Sequence, residues 1–318
     1  MRQVVRTRLG AAALALFAAF LWATYYLFVL ATRSSAGTSA ILFYPFLGGG
    51  LAYAAWVVRR GQGRYLARLF GDGRAYLRLA LLVGMQLTVL AATFLTGPVD
   101  ASLLSLLGDV VLTPIVVAAL VAAHRPELKA PVFVGGLVLS LVGGTLTIAG
   151  GGSFGAIHDV GWLVVVGVPV TVAFYFVLSA RAGAELPIDA VVAQSMVGAA
   201  VVALVAAPLV PGGISAIVRV APIPALLLVV NGLVSFFVAQ LCYFHAIERA
   251  GLVFPPMLMT GIPVFTLLLS ATVLGLAPAP LAVLGVPVAA VGGILALAAG
   301  ANAVRPEPGG SSGPTANR

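Results

Sequence analysis

The chain has 318 residues, of which 61% are hydrophobic and 8% charged, with a formal charge of +8 and a single cysteine. An ordinary soluble domain carries roughly a quarter charged residues, so a water-soluble globular fold is excluded. One cysteine, Cys242, builds neither a disulfide framework nor a thiolate metal site within the chain. The basic residues lie scattered in short segments between apolar runs, with no basic face interleaved with aromatics, which argues against nucleic acid as a partner.

In chain order, Arg2, Arg6 and Arg8 precede an apolar run over 9–31. That run exceeds the roughly 7–15 residues of a secretory h-region, so it reads as an uncleaved first span. Further runs follow at 39–58, 79–97, 100–121, 131–150, 160–180, 189–209, 223–247, 252–274 and 279–300, each long enough to cross hydrocarbon. They are apolar on every face, unlike the alternating strands of a membrane barrel. The expected fold is an all-α integral membrane protein with ten transmembrane helices. The stretch 59–78 is the one sizeable loop, with an amphipathic surface helix as its expected form, and 305–318 is a Pro/Gly/Ser tail too polar to fold alone.

Orientation follows from the Arg and Lys residues between spans, since the cytoplasmic side keeps positive charge. Fifteen of the seventeen fall on the amino-terminal side, and only Arg33 and Arg219 on the other. Both termini are therefore expected in the cytoplasm. The abundance of Arg over Lys, with much Ala and Gly, suggests a bacterial chain and hence the bacterial inner (plasma) membrane.

Compared with itself at an offset of 148 to 149 residues, the chain matches at both ends of a five-span unit. Phe28-Val29-Leu30-Ala31-Thr32-Arg33 answers Phe176-Val177-Leu178-Ser179-Ala180-Arg181. Pro114 answers Pro263, and Val142-Gly143-Gly144 answers Val291-Gly292-Gly293. Five is odd, so the two halves, 1–150 and 151–304, are expected to be inverted in the membrane, as in secondary transporters with a site near the midplane. Gly136, Ser140 and Gly144 correspond to Gly285, Ala289 and Gly293, small residues every fourth position that allow close helix contact. Packing within the protomer is one use for these faces; a homodimer through spans five and ten is the other.

Three stretches resemble the drug/metabolite transporter superfamily, in its ten-helix branch with two EamA domains. Leu21-Trp22-Ala23-Thr24-Tyr25-Tyr26 is similar to the aromatic first-helix motif, Ala239 through Gly251 to the eighth-helix pattern, and Ile262-Pro263-Val264-Phe265-Thr266 to the Pro-Val-Phe motif of the ninth helix. Glu127 matches an acid found in the family about a dozen residues after the first-half proline; the second half departs, with Gly275-Leu276 there. The resemblance covers nearly the whole chain. It implies export or exchange of small polar or amphiphilic metabolites by alternating access.

Among single residues, Asp109 stands out, because an aspartate at the centre of a span costs ~2.5–3.5 kcal/mol on translocon scales. Ser102, Ser105, Asp109 and Thr113 fall three or four apart, one polar stripe expected to face the bundle interior. Asp109 is the candidate proton-coupling carboxylate or counter-ion of a cationic group, against the alternative of a neutral acid bonded to a neighbouring helix. Trp22, Tyr25 and Tyr26, Gln86 with Thr93, Asn231 with Ser235, and Gln240 with Tyr243 are candidate cavity-lining groups, aromatic walls for an apolar or cationic body and amides for its polar groups. An interfacial belt explains Tyr25 and Tyr26 equally, and interhelical hydrogen bonds the amides.

Pro45, Pro114, Pro169, Pro263 and Pro287 interrupt spans, and Pro114 and Pro263, sharing a repeat position, are the candidate hinges. His245 and Glu248 sit three apart, a surface pair rather than a metal site. No nucleotide-binding motif is present, and no Lys or Arg falls within a span, which disfavours multiply charged anions. The expectation is a non-enzymatic secondary transporter, without cofactor or metal, whose partners are a small solute and the lipid bilayer. An intramembrane lipid-modifying enzyme or a non-transporting scaffold is the alternative.

Overall fold

The structure, a computed structural model, describes residues 2–66, 73–96, 101, 131–150, 159–183, 185–210, 212–251, 255, 258–259 and 261–303. The expected fourth span with Ser102, Ser105, Asp109, Thr113 and Pro114, the loop residues Glu127 and Lys129, and the tail 305–318 lie outside them.

The described elements are helical: α1 (Arg2–Thr32), α2 (Thr38–Arg59), α3 (Gly73–Thr96), α4 (Pro131–Gly150), α5 (Asp159–Gly183), α6 (Ile188–Ala206), α7 (Pro222–Ala250), α8 (Gly261–Val273) and α9 (Pro280–Ala303). In hydrocarbon a backbone must satisfy its own N–H and C=O groups, and these apolar runs do so by forming helix. Among the described residues, five segments are long and apolar enough to cross a membrane: Leu9–Thr32, Thr38–Arg59, Gly73–Leu95, Ile188–Leu209 and Pro222–Ala250. Shorter apolar helices cover Pro131–Thr147, Gly167–Gly183, Gly261–Val273 and Pro280–Leu295.

Three local features depart from the sequence expectation. Among the described residues the loop after α2 holds a 3-10 turn at 63–66, and α3 covers Gly73–Thr96, so that Arg78 lies inside a helix and is only 3% exposed. Positive charge is therefore buried in the bundle after all; arginine is a good helix former with a long apolar stem, and one guanidinium does not end a helix. The segment between α6 and α7 carries a short helix, Gly213–Val218. Inside α7, Gly232–Val238 is a π-helical stretch, in which the Ala239 N–H bonds to the Val234 carbonyl, five residues back. The helix stops at Gly251, whose φ of 81° lies in the left-handed region and whose N–H bonds the Ile247 carbonyl at 2.7 Å.

Helix contacts divide the molecule into two parts. In one, α1 packs on α7 and α8, α2 on α6 and α7, and α3 on α5 and α6. Glycines set the α2 contacts: a Cβ at Gly48 would stand 2.5 Å from the Val229 carbonyl oxygen, one at Gly49 2.8 Å from the Phe236 Cβ, and one at Gly50 3.2 Å from the Met196 backbone. In the other part, α4 and α9 pack mainly on each other. Gly143 faces Gly285 and Ala289, Gly292 faces Gly136 and Ser140, and the Ser140 hydroxyl donates to the Ala289 carbonyl at 3.0 Å. Partners rise along one helix as they fall along the other, so the pair is antiparallel. Lipid gives helices little hydrophobic reason to associate, and such close backbone contact supplies van der Waals attraction instead.

Candidate functional site

Midway along α1, α3 and α7, where α5 and α8 also converge, the helices leave a cavity of about 60 Å³. Its aromatic wall is Trp22, Tyr25 and Tyr26 from α1, Phe176 from α5 and Phe236 from α7; Gln86 of α3 and Gln240 of α7 are its amides. The rings brace one another. Trp22 stands 5.0 Å from Tyr243 and 5.8 Å from Phe176, and Tyr25 stacks on Phe236 at 5.9 Å while Tyr26 meets Tyr25 edge-on at 5.4 Å. Bulky rings hold the backbones apart, and the space between them is the cavity.

The π-helical stretch anchors this wall. Trp22 Nε1 donates to the Ser235 carbonyl at 2.8 Å, and the Ser235 hydroxyl lies 3.2 Å from the Leu21 carbonyl and 3.0 Å from Asn231 Oδ1. The widened turn shifts the backbone ladder of α7 and leaves the Ser235 carbonyl open to a second donor, a use common for π-bulges at functional sites. Gln240 is fixed from the other side, its Oε1 accepting the Tyr175 hydroxyl at 3.2 Å. Gln86 is 7% exposed, and its Oε1 accepts no hydrogen bond.

The structure thus brings Trp22, Tyr25, Tyr26, Gln86 and Gln240 to one cavity. Tyr243, fully buried, stands behind the wall against Trp22 and Phe176, and Asn231, also fully buried, sits behind Ser235. Thr93 bonds back to the Val89 carbonyl at 2.7 Å and lines a separate cleft of about 410 Å³ at the Arg33 end of α1, where the Arg33 guanidinium stands 5.8 Å from the Phe94 ring centre. Pro263 falls in the first turn of α8, where its missing N–H leaves no carbonyl of the helix unpaired. Asp109 and Pro114 lie outside the described residues.

Sequence reasoning missed a polar junction at the other end of the bundle. Asp189, in the first turn of α6 and 5% exposed, accepts Trp56 Nε1 at 3.0 Å and an Arg60 guanidinium N–H at 3.1 Å. His245 of α7 lies 3.9 Å from the same carboxylate and 4.0 Å from Glu248, and its Nδ1 is 2.8 Å from the Leu241 carbonyl. The ends of α2 and α7 are tied to the start of α6 through one buried acid. Its signal was an aspartate at a helix N-terminus within reach of a tryptophan and arginine on a neighbouring span; sequence spacing alone cannot bring those three together.

Residues 159–298 match the EamA-like transporter family. A solved structure described as "Crystal structure of protein" has the same fold, with a TM-score of 0.71 over 94% of this chain and 99% of that one at 19% identity. No curated protein sequence matches the chain. Residues 159–298 are thus similar to the EamA-like transporter family, in a chain whose described elements are helical and include five segments long and apolar enough to cross a membrane.

Proposed function

We propose that the protein is a secondary active transporter that exports or exchanges a small neutral, zwitterionic or cationic metabolite, such as an amino acid or amphiphile, by alternating access. Its ten spans form two inverted five-helix repeats, 1–150 and 151–304, with both termini in the cytoplasm of a bacterial cell. Trp22, Tyr25, Tyr26, Gln86 and Gln240 contact the solute; Asn231 and Tyr243 support them. Asp109 couples transport to protons, and Pro114 and Pro263 are hinges.

The observation that carries this reading is the position of the cavity. Its walls come from α1 and α3 of the first half and from α5, α7 and α8 of the second. Shifted by the repeat offset, α1 corresponds to α5, α2 to α6, α3 to α7 and α4 to α9. Exchanging the halves turns the α1–α7 contact into α5–α3 and the α2–α7 contact into α6–α3, both of which are present. Ser140 and Ala289, equivalent in the repeat, are bonded to each other, and Gly136 with Gly292 mirrors Gly143 with Gly285. An antiparallel helix pair that meets itself in this way supports a pseudo-two-fold axis across the helices, the axis an inverted repeat requires. The family that residues 159–298 resemble is one of transporters, which supports a non-enzymatic role. Orientation rests on the basic residues, fifteen on one side and two on the other.

The test is flux of labelled amino acids and cationic amphiphiles in proteoliposomes, with and without a pH gradient. Wild type is expected to move a solute in response to the gradient, Trp22→Ala to lose that flux, and Asp109→Asn to lose its gradient dependence. Flux in Asp109→Asn that still follows the gradient removes the coupling role; no flux of any solute removes the transporter reading.

A further inference from the structure

We propose that Gln86 is the selectivity residue of the cavity: its side-chain carbonyl accepts an N–H from the solute, so that the site takes primary and secondary amines in preference to fully N-methylated ammonium ions. The inference rests on the cavity being the solute site and adds which chemistry that site selects.

Gln86 is 93% buried, being 7% exposed, yet its Oε1 is shut from solvent without a donor. Buried polar atoms in folded proteins are nearly all satisfied, and an orphaned acceptor is a costly arrangement that calls for an explanation. Two other polar groups on this wall are committed within the protein: the Trp22 indole to the Ser235 carbonyl and the Gln240 carbonyl to the Tyr175 hydroxyl. Of the two amides, Gln86 is the one whose carbonyl accepts nothing. Its backbone is held on α3 between Leu82 and Leu90, both at most 2% exposed, and half a turn of its terminal amide exchanges oxygen and nitrogen without moving the helix. The amide is therefore fixed in depth, and that half-turn sets its carbonyl where the nitrogen stood.

The surroundings define the donor. Five aromatic rings flank the cavity, and ring faces attract an ammonium without hydrogen-bonding it. Such a box alone holds methylated and unmethylated ammonium ions alike. An acceptor among the rings breaks that tie, because only a nitrogen carrying hydrogen can satisfy it, and a site built to receive an N–H discriminates against ligands that lack one. The volume, about 60 Å³, is well below the ~150 Å³ of a cavity that takes benzene. It accommodates a head group, with the apolar body of the solute lying along the aromatic wall.

The probes are 2-phenylethylamine and its N,N,N-trimethyl analogue, bound to the purified full-length chain in detergent and followed by tryptophan fluorescence. Wild type is expected to bind the primary amine about tenfold tighter, the worth of one charge-assisted hydrogen bond. Gln86→Leu brings the two probes within about twofold by weakening the amine alone. Gln86→Met keeps the side-chain length and is expected to give the same result should Gln86→Leu fail to fold. Trp22→Ala weakens both probes. A preference for the amine that survives in the Gln86 variants overturns the proposal and leaves the solute site standing, as does a wild type that favours the trimethyl probe. If neither probe binds wild type, the cavity is not an amine site and the proposal falls; if the probes bind and Trp22→Ala changes neither, the solute site itself falls with it.

Discussion

The cavity and the α4–α9 contact are built in the same apolar solvent from opposite materials. Around the cavity, rings of five aromatic residues stand where five helices meet and leave an acceptor without a donor. Between α4 and α9, Gly136, Ser140, Gly143, Gly285, Ala289 and Gly292 bring backbones into contact, and one hydroxyl bond crosses between them. Neither region gains much from excluding water, because lipid tails are as apolar as the side chains. Side-chain size thus decides where this bundle is closed and where it has room to bind.

The difference can be broken from the closed side with the largest effect. A Cβ at Gly143 would stand 2.6 Å from the Gly285 carbonyl oxygen and 2.7 Å from the Ala289 Cα, both backbone atoms that cannot swing aside. Gly143→Leu is expected to cost about 3 kcal/mol or more, read as a large fall in the unfolding midpoint in detergent. An unchanged midpoint would mean that the two helices do not need this contact.

Smaller effects are expected where single hydrogen bonds tie helices together. Trp56→Phe keeps a ring beside Arg60 and removes the indole donor to Asp189; about 1 kcal/mol should be lost in chemical or thermal unfolding. Trp22→Phe removes the bond to the Ser235 carbonyl and keeps the aromatic wall, so about 1 kcal/mol of stability should go while solute binding falls less than in Trp22→Ala. Equal binding losses in Trp22→Phe and Trp22→Ala would show that the indole N–H matters more than the ring. Leu141→Ala, at a 41% exposed position on α4, should move stability by no more than about 0.5 kcal/mol.

How much of this was legible in the sequence depends on what each feature needs. The helices needed only apolar length, and every described long helix falls on an expected span. The small-residue pattern of α4 and α9 was legible in Gly136, Ser140, Gly285 and Ala289, but its third member is Gly143 and Gly292 rather than Gly144 and Gly293, because a helical face alternates steps of four and three. Trp22, Tyr25, Tyr26, Gln86 and Gln240 stood out as polar or aromatic groups within apolar runs. Phe236 and Phe176 did not, since a phenylalanine in such a run looks the same against lipid or against a cavity. The π-helical turn at Gly232–Val238 follows from a close approach of α2, where a Cβ at Gly232 would strike the Pro45 carbonyl. A contact between segments nearly 190 residues apart leaves no local mark. Asp189 was hidden for the same reason: its partners Trp56 and His245 come from two other helices.

The central claim, that the aromatic cavity is where solute binds, is tested most directly by thiol labelling. Val89 lies on the cavity wall, and the single native cysteine can be removed as Cys242→Ser. In that background Val89→Cys should react with a small water-soluble thiol reagent, Leu141→Cys should not, and a transported solute should slow labelling at Val89→Cys. An unreactive Val89→Cys, or one labelled at the same rate with saturating solute present, would contradict the account.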